Sequence, residues 1–237
     1  MKRWFILLCA AALLWVVSRP QDTQPTAAPV SLTAPCVALT FDDGPRADTT
    51  GRLLEGLASR GAKATFFVIG EQISGNEELL LRMAEDGHQI GSHTYSHIRL
   101  QGAAESTVIE EVGKTEVLLT ELLGEGDYWL RPPYGLVDDN TYRLVDTPMI
   151  YWSLDPEDWK VLDTDTVVER ILEKVDNGDI ILLHDFYPTS VDAALQVVDA
   201  LQRQGYQFVT VRELFERFGT DPQPGVLYAD ATHPRSW

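Results

Sequence analysis

The chain is poor in cysteine and in positive charge, and it lacks any long apolar run. Only two of its 237 residues are cysteines, Cys9 and Cys36. Cys9 lies in an apolar N-terminal stretch, so Cys36 stands alone in the remainder. No intramolecular disulfide can staple that part, which must rely on a packed core. Lysine and arginine together number 19 against 36 aspartates and glutamates, a formal net charge of −17. That balance excludes the basic face that phosphate binding requires, and nucleic acid with it. It does not exclude a neutral substrate such as a sugar. The longest apolar run, residues 4–17, covers 14 positions. This is short for a free-standing membrane helix and within the range of a signal-peptide core.

Lys2 and Arg3 precede that run and Ser18-Arg19-Pro20 ends it. Residues 1–19 therefore read as a signal peptide or a retained membrane anchor, and the rest of the chain as exported. Membrane contact is expected only through this segment. Residues 20–35 are rich in Pro, Thr and Ala and read as a linker. The domain is expected over 36–219, as a monomer, followed by an unperiodic tail over 220–237.

Within the domain, apolar runs alternate with amphipathic stretches. Strands are expected at 36–41, 64–69, 88–91, 128–130, 149–153, 180–183 and 207–211. Helices are expected at 49–60, 77–85, 104–123, 140–145, 164–175, 191–203 and 212–218. Gly61, Gly87, Gly178 and Gly205 fall at helix exits, where glycine caps are expected. About seven strand–helix units in succession predict an α/β fold with parallel strands, a barrel or an open sheet.

Polar residues recur at the ends of these strands. Asp42 and Asp43 close an apolar run and are followed by Gly44-Pro45. A turn accounts for Gly44 and Pro45, but not for two carboxylates ending a buried strand. His93 and His97 are spaced i,i+4, which on a helical turn would put both rings on one side. Alone, such a pair carries little weight. With Asp43 it makes a His–His–carboxylate set that leaves positions open for water and substrate. Asp42 is then free to act as a base on water acidified by the cation. Arg131, stiffened by Pro132-Pro133, is suited to hold that base ionised. His184 ends the run Ile180-Ile181-Leu182-Leu183 and could be a general acid, a structural histidine or a further ligand. A nearby carboxylate would favour the acid role, with Asp158 first and Asp155 second. Trp159 is placed to wall a pocket or stack on a sugar ring, while Tyr151 and Trp152 read as core. His88 and His233 are assigned no role. In parallel α/β architectures the C-terminal strand ends form the active face.

Five segments, taken in order, resemble the polysaccharide deacetylases of the NodB-homology type, carbohydrate esterase family 4. They are Thr40-Phe41-Asp42-Asp43-Gly44-Pro45, Ser92-His93-Thr94-Tyr95-Ser96-His97, Arg131-Pro132-Pro133-Tyr134-Gly135, the stretch from Asp155 to Trp159, and Leu182-Leu183-His184. The resemblance implies a distorted (β/α) barrel with fewer than eight units. It implies Asp42 as base and Asp43, His93 and His97 as ligands of a divalent metal: zinc, with cobalt, manganese or nickel as alternatives. It implies Arg131 holding the base, the Tyr134 backbone N–H as an oxyanion donor, and His184 as the acid partnered by Asp158. Pro133, Tyr134 and Trp159 are expected to contact substrate. The substrate expected is an acetylated cell-envelope polysaccharide, peptidoglycan first, with chitin oligomers and O-acetylated xylan as alternatives. Two rival classes are a non-haem iron oxygenase, which would leave Asp42, Arg131 and His184 without a role, and a non-catalytic glycan-binding module.

Overall fold

A computed structural model describes residues 34–231. The expected signal or anchor at 1–19, most of the linker, and His233 and Trp237 lie outside the described residues.

Strand β1 (Cys36–Asp42) is the centre of the sheet, and all seven of its residues are buried. Its unbroken apolar character follows from burial on both faces, as parallel strands require. It pairs in parallel with β2 (Thr65–Val68), β5 (Ile180–His184) and β6 (Gln207–Phe208). β3 (Gln89–Ser92) adds to β2. Single parallel bridges carry the pairing onward, from Ser92 to Leu130 and from Leu130 to Met149 of β4 (Met149–Ile150). A further bridge from Leu154 to Ile181 returns it to β5. The result is the expected α/β fold, a distorted barrel whose second half is held by isolated bridges instead of full ladders.

The period-2 alternation of β1 sorts its side chains. Val37, Leu39 and Phe41 pack outward with Leu53, Leu54 and Leu57 of α1 (Thr50–Ser59) and with Val191, Ala194 and Val198 of α7 (Pro188–Arg203). Cys36 and Ala38 face an inner cluster with Phe67, Trp129, Ile150 and Ile180. Thr40 and Asp42 continue that inner face, so the base candidate projects into the mouth of the barrel by strand periodicity alone. The remaining helices are α2 (Glu77–Glu85), α3 (Glu105–Leu123), α4 (Asp139–Leu144), α5 (Asp158–Val161), α6 (Thr164–Leu172) and α8 (Val211–Phe218). Gly61, Gly87, Gly178 and Gly205 all adopt positive φ, as expected of glycines at helix exits. Among the described residues no helix is long and apolar enough to cross a membrane.

Several expected elements are shorter, for local reasons. The 128–130 strand is reduced to the bridges at Leu130, because Pro132 and Pro133 follow at once and cannot donate to a ladder. The 149–153 strand stops at Ile150. The Ser153 N–H donates to the Ile180 carbonyl at 3.0 Å, but the Ile180 N–H goes to Ser153 Oγ at 3.0 Å, so a side chain stands in for a backbone acceptor there. The 207–211 strand stops at Phe208, since Thr210 forms a capping box with Glu213 at the start of α8. The 220–237 stretch, read as unperiodic, contributes β7 (Leu227–Tyr228), which pairs with β4 and buries Tyr228 against Phe215. Two residues cannot show alternation, so periodicity could not reveal this strand.

Candidate active site and metal centre

β1 delivers two carboxylates in different directions. Asp42 ends the strand and is 3% exposed. Asp43 follows at φ 71°, a left-handed conformation that costs a non-glycine residue on the order of 1–3 kcal/mol. That turn brings Asp43 Oδ1 to 3.6 Å from His93 Nε2 and 3.4 Å from His97 Nε2. The i,i+4 histidines are not on a helical turn, as the spacing suggested. They sit on a loop in which Thr94 and His97 are themselves left-handed, and their ring centroids are 4.9 Å apart.

The donor set fits a metal ion. One ligand atom from each of Asp43, His93 and His97 lies within 4.8 Å of the others. Asp43 Oδ1 is buried and makes no hydrogen bond. His93 Nδ1 lies 2.6 Å from the Arg131 carbonyl oxygen. A carbonyl only accepts, so Nδ1 carries the proton and Nε2 presents its lone pair to the cluster. Burial holds His97 below the usual imidazole range, with His93 adding to the effect, which keeps that ring neutral as a ligand must be.

Asp42 lies beside this cluster, with Oδ2 3.6 Å from His93 Nε2. Its Oδ1 accepts from Arg131 Nη1 at 2.8 Å. Arg131 is fully buried and has four more anchors. They are Thr40 Oγ1 at 2.7 Å, the Tyr151 carbonyl at 2.8 Å, the Ile150 carbonyl at 3.3 Å and the face of Phe67 at 4.2 Å. Burial opposes ionisation of Asp42, but the charge and hydrogen bond of Arg131, with the charge of His184 behind them, overcome it and hold the carboxyl below its ordinary range.

His184 ends β5, directly opposite Asp42 in the β1–β5 register. Its Nδ1 lies 2.9 Å from Asp158 Oδ1, and its backbone N–H donates to Asp158 Oδ2 at 2.8 Å. Asp158 opens the short helix α5 and is fully buried. Burial disfavours a charged His184. The hydrogen bond and charge of Asp158, with Asp42 and Asp43 beyond, overcome that and carry it up to about 9. Asp155, the second candidate partner, instead accepts the Glu157 N–H at 2.7 Å.

Asp42, Asp43, His93, His97 and His184 line one cavity of about 380 Å³, together with Tyr134, Trp152, Asp155, Trp159 and Tyr187, while Arg131 and Asp158 stand behind its wall. Tyr134 stands at φ 60° and Trp159 is 48% exposed at the rim. Trp152 packs against the inner core cluster, as expected, and also lines the cavity and stacks on Tyr151 at 3.8 Å. Pro133 is buried in its turn and is not among the lining residues. His88 lies apart, its Nδ1 accepting the Ala64 N–H at 3.1 Å.

Two carboxylates have a role that the sequence does not reveal. Glu111 of α3 accepts the Tyr95 and Ser96 N–H groups at 3.0 and 2.8 Å and the Ser96 hydroxyl at 2.7 Å, which pins the loop between the two histidines. Asp185, after His184, is fully buried against the turn that follows Asp43. Neither carries a sequence signal, because each meets its partner only through the fold.

Comparison with known proteins bears on the family and the fold. The polysaccharide deacetylase family model matches residues 30–149. The peptidoglycan-N-acetylmuramic acid deacetylase PdaC of Bacillus subtilis is 37% identical over 180 residues, covering 76% of this chain and 38% of PdaC. The chain thus spans less than half the length of that relative. A solved structure described as T48 deacetylase with substrate superposes with a TM-score of 0.79 at 40% identity, covering 84% of this chain and 99% of the other. A family 4 acetyl xylan esterase from Clostridium thermocellum, solved with a cobalt ion, gives a TM-score of 0.79 at 29% identity and covers 84% and 100%. With a matching family model over residues 30–149 and a shared fold, the chain belongs to the polysaccharide deacetylase family.

Proposed function

We propose that the protein is a metal-dependent hydrolase that removes acetyl groups from N-acetylated sugars of an envelope polysaccharide, peptidoglycan first. The observation that carries this reading is the convergence in one cavity of an Asp–His–His cluster, an ionised carboxylate and a carboxylate-backed histidine. Asp43, His93 and His97 would hold the cation, with zinc the first choice. A divalent cation there supplies polarisation of the acetyl carbonyl and acidification of water.

The chain's own residues do the rest. Asp42, kept ionised by Arg131, takes the proton of the attacking water. Pro132 and Pro133 have no N–H, so Tyr134 offers the first backbone donor after Arg131, toward the developing oxyanion. His184 carries a proton on the ring nitrogen not held by Asp158 and gives it to the departing sugar amine. Trp159 and Tyr134 flank the sugar. All these groups come from one chain, which suits a monomer. The N-terminal segment and the substrate named for PdaC favour export, with the enzyme anchored on the outer face or released to the cell wall.

The test is acetate release by purified protein from peptidoglycan, chitin oligomers and acetylated xylan. Activity on peptidoglycan above the other two is expected, lost with a chelator, restored by zinc or cobalt, and abolished by Asp42→Asn. Undiminished activity of Asp42→Asn, or of the chelated enzyme, would overturn the mechanism. Glycan binding without any acetate release would identify a binding module instead.

A further inference from the structure

We propose that Asp185 is a positioning residue for Asp43: it sets the turn that aims this carboxylate at the two imidazoles. The inference rests on the metal-centre reading above and concerns a residue that the proposed chemistry does not use. Asp185 is fully buried and is not among the cavity-lining residues. Its carboxylate is applied to the β1–α1 turn at two points.

The first point is Thr50. Its hydroxyl donates to Asp185 Oδ2 at 2.5 Å and accepts the Arg46 N–H at 2.7 Å. One hydroxyl therefore relays the position of Asp185 to the backbone three residues past Asp43. The second point is Gly44, the residue after Asp43. A Cβ there would lie 2.4 and 2.5 Å from the two Asp185 oxygens and 2.8 Å from Cγ. The carboxylate thus packs on the bare Gly44 backbone. Just past β2, the Ile69 N–H donates to the Gly44 carbonyl at 3.0 Å, which holds the turn from another part of the chain.

A non-glycine residue at φ 71° persists only where its surroundings over-determine it, and Asp43 is such a residue. Asp185, Thr50 and Ile69 supply that determination. Asp185 Oδ1, moreover, is buried with no hydrogen-bond partner, a disposition that costs stability. A group kept at that cost, beside the turn it braces, fits a site requirement better than a packing one.

The experiment is cobalt(II) titration of the full-length protein, followed by calorimetry and by the visible absorption of the bound ion. Asp185→Ala is expected to weaken cobalt binding by about 10–100-fold, the usual cost of losing a group that orients a ligand, and to alter the absorption band. Asp185→Asn keeps the shape and an acceptor for Thr50, and should stay within about threefold of the unaltered protein. Thr50→Val, nearly isosteric, should weaken binding as Asp185→Ala does and add little to it in the double variant. It carries the test if Asp185→Ala does not fold. Unchanged affinity and spectrum in Asp185→Ala or Thr50→Val would overturn the inference. So would an Asp185→Asn loss equal to that of Asp185→Ala, or additive losses in the double variant. If the unaltered protein binds no cobalt, the metal-centre reading itself has failed; if it binds and the variants match it, only the role of Asp185 has.

Discussion

Arg131 donates to Asp42 at 2.8 Å inside the protein, with the guanidinium wholly buried and the carboxylate nearly so. Such a pair is costly to break from one side, because the remaining charge is stranded. Arg131→Met is expected to destabilise the fold by about 3–5 kcal/mol, read by denaturant unfolding. Asp42 would also lose the charge that holds its carboxyl down. Where the variant folds, the acid limb of its kcat/KM profile should move to higher pH. An acid limb that stays in place would remove Arg131 from the control of the base.

His184 is carried up to about 9 against an ordinary value of 6.5. A raised pKa in the folded state contributes stability that is fully present below about pH 6.5 and is lost as pH rises through about 9. The same proton is the one proposed for the leaving amine, so activity should fall along an alkaline limb. A bound cation opposes the charge of His184 and sets that limb somewhat below 9. Asp158→Asn removes the main support and should shift the limb down by a unit or more, measured as kcat/KM against pH. An unmoved limb would assign it to another group.

Glu111 fastens the loop between His93 and His97 by three hydrogen bonds. Glu111→Ala frees two backbone N–H groups and lets His97 leave its left-handed conformation. A loss of about 10–100-fold in zinc affinity is expected, with a smaller loss for Glu111→Gln, which can still accept. Competition with a chromophoric chelator would measure both; equal and undiminished affinities would reduce Glu111 to a surface helix residue.

Trp159 stands at the cavity rim with nearly half its surface exposed. Its proposed contact is with sugar far from the reacting carbonyl, so Trp159→Ala should raise KM by roughly 3–10-fold with kcat little changed, the scale of one aromatic contact. A fall in kcat at constant KM would move Trp159 from substrate binding to the chemistry.

Strand-end chemistry was legible in the sequence because an apolar run ending in Asp42 or His184 is a local signal. The pairing of His184 with Asp158 followed from their types, and the structure chose Asp158 over Asp155. What stayed hidden depends on folding. Glu111 looks like any acidic helix residue until the His93–His97 loop crosses it. The left-handed turn of Asp43 cannot be read from an Asp-Gly-Pro string, which suits several turns. Trp152 sits in a run that reads as buried strand, yet it packs on the core and lines the cavity at once, a double role that the run does not reveal.

Asp42 and His184 are direct neighbours across the β1–β5 ladder. Their backbones are therefore held about 4.8 Å apart by the ladder itself, independent of any loop. The proposed base and the proposed acid thus share one rigid ruler. The residues proposed to meet the polymer, Trp159 and Tyr134, lie on short helical turns outside that ruler. A lineage of such proteins can change its taste for glycans by rewriting those turns, with the reaction's own dimensions left untouched.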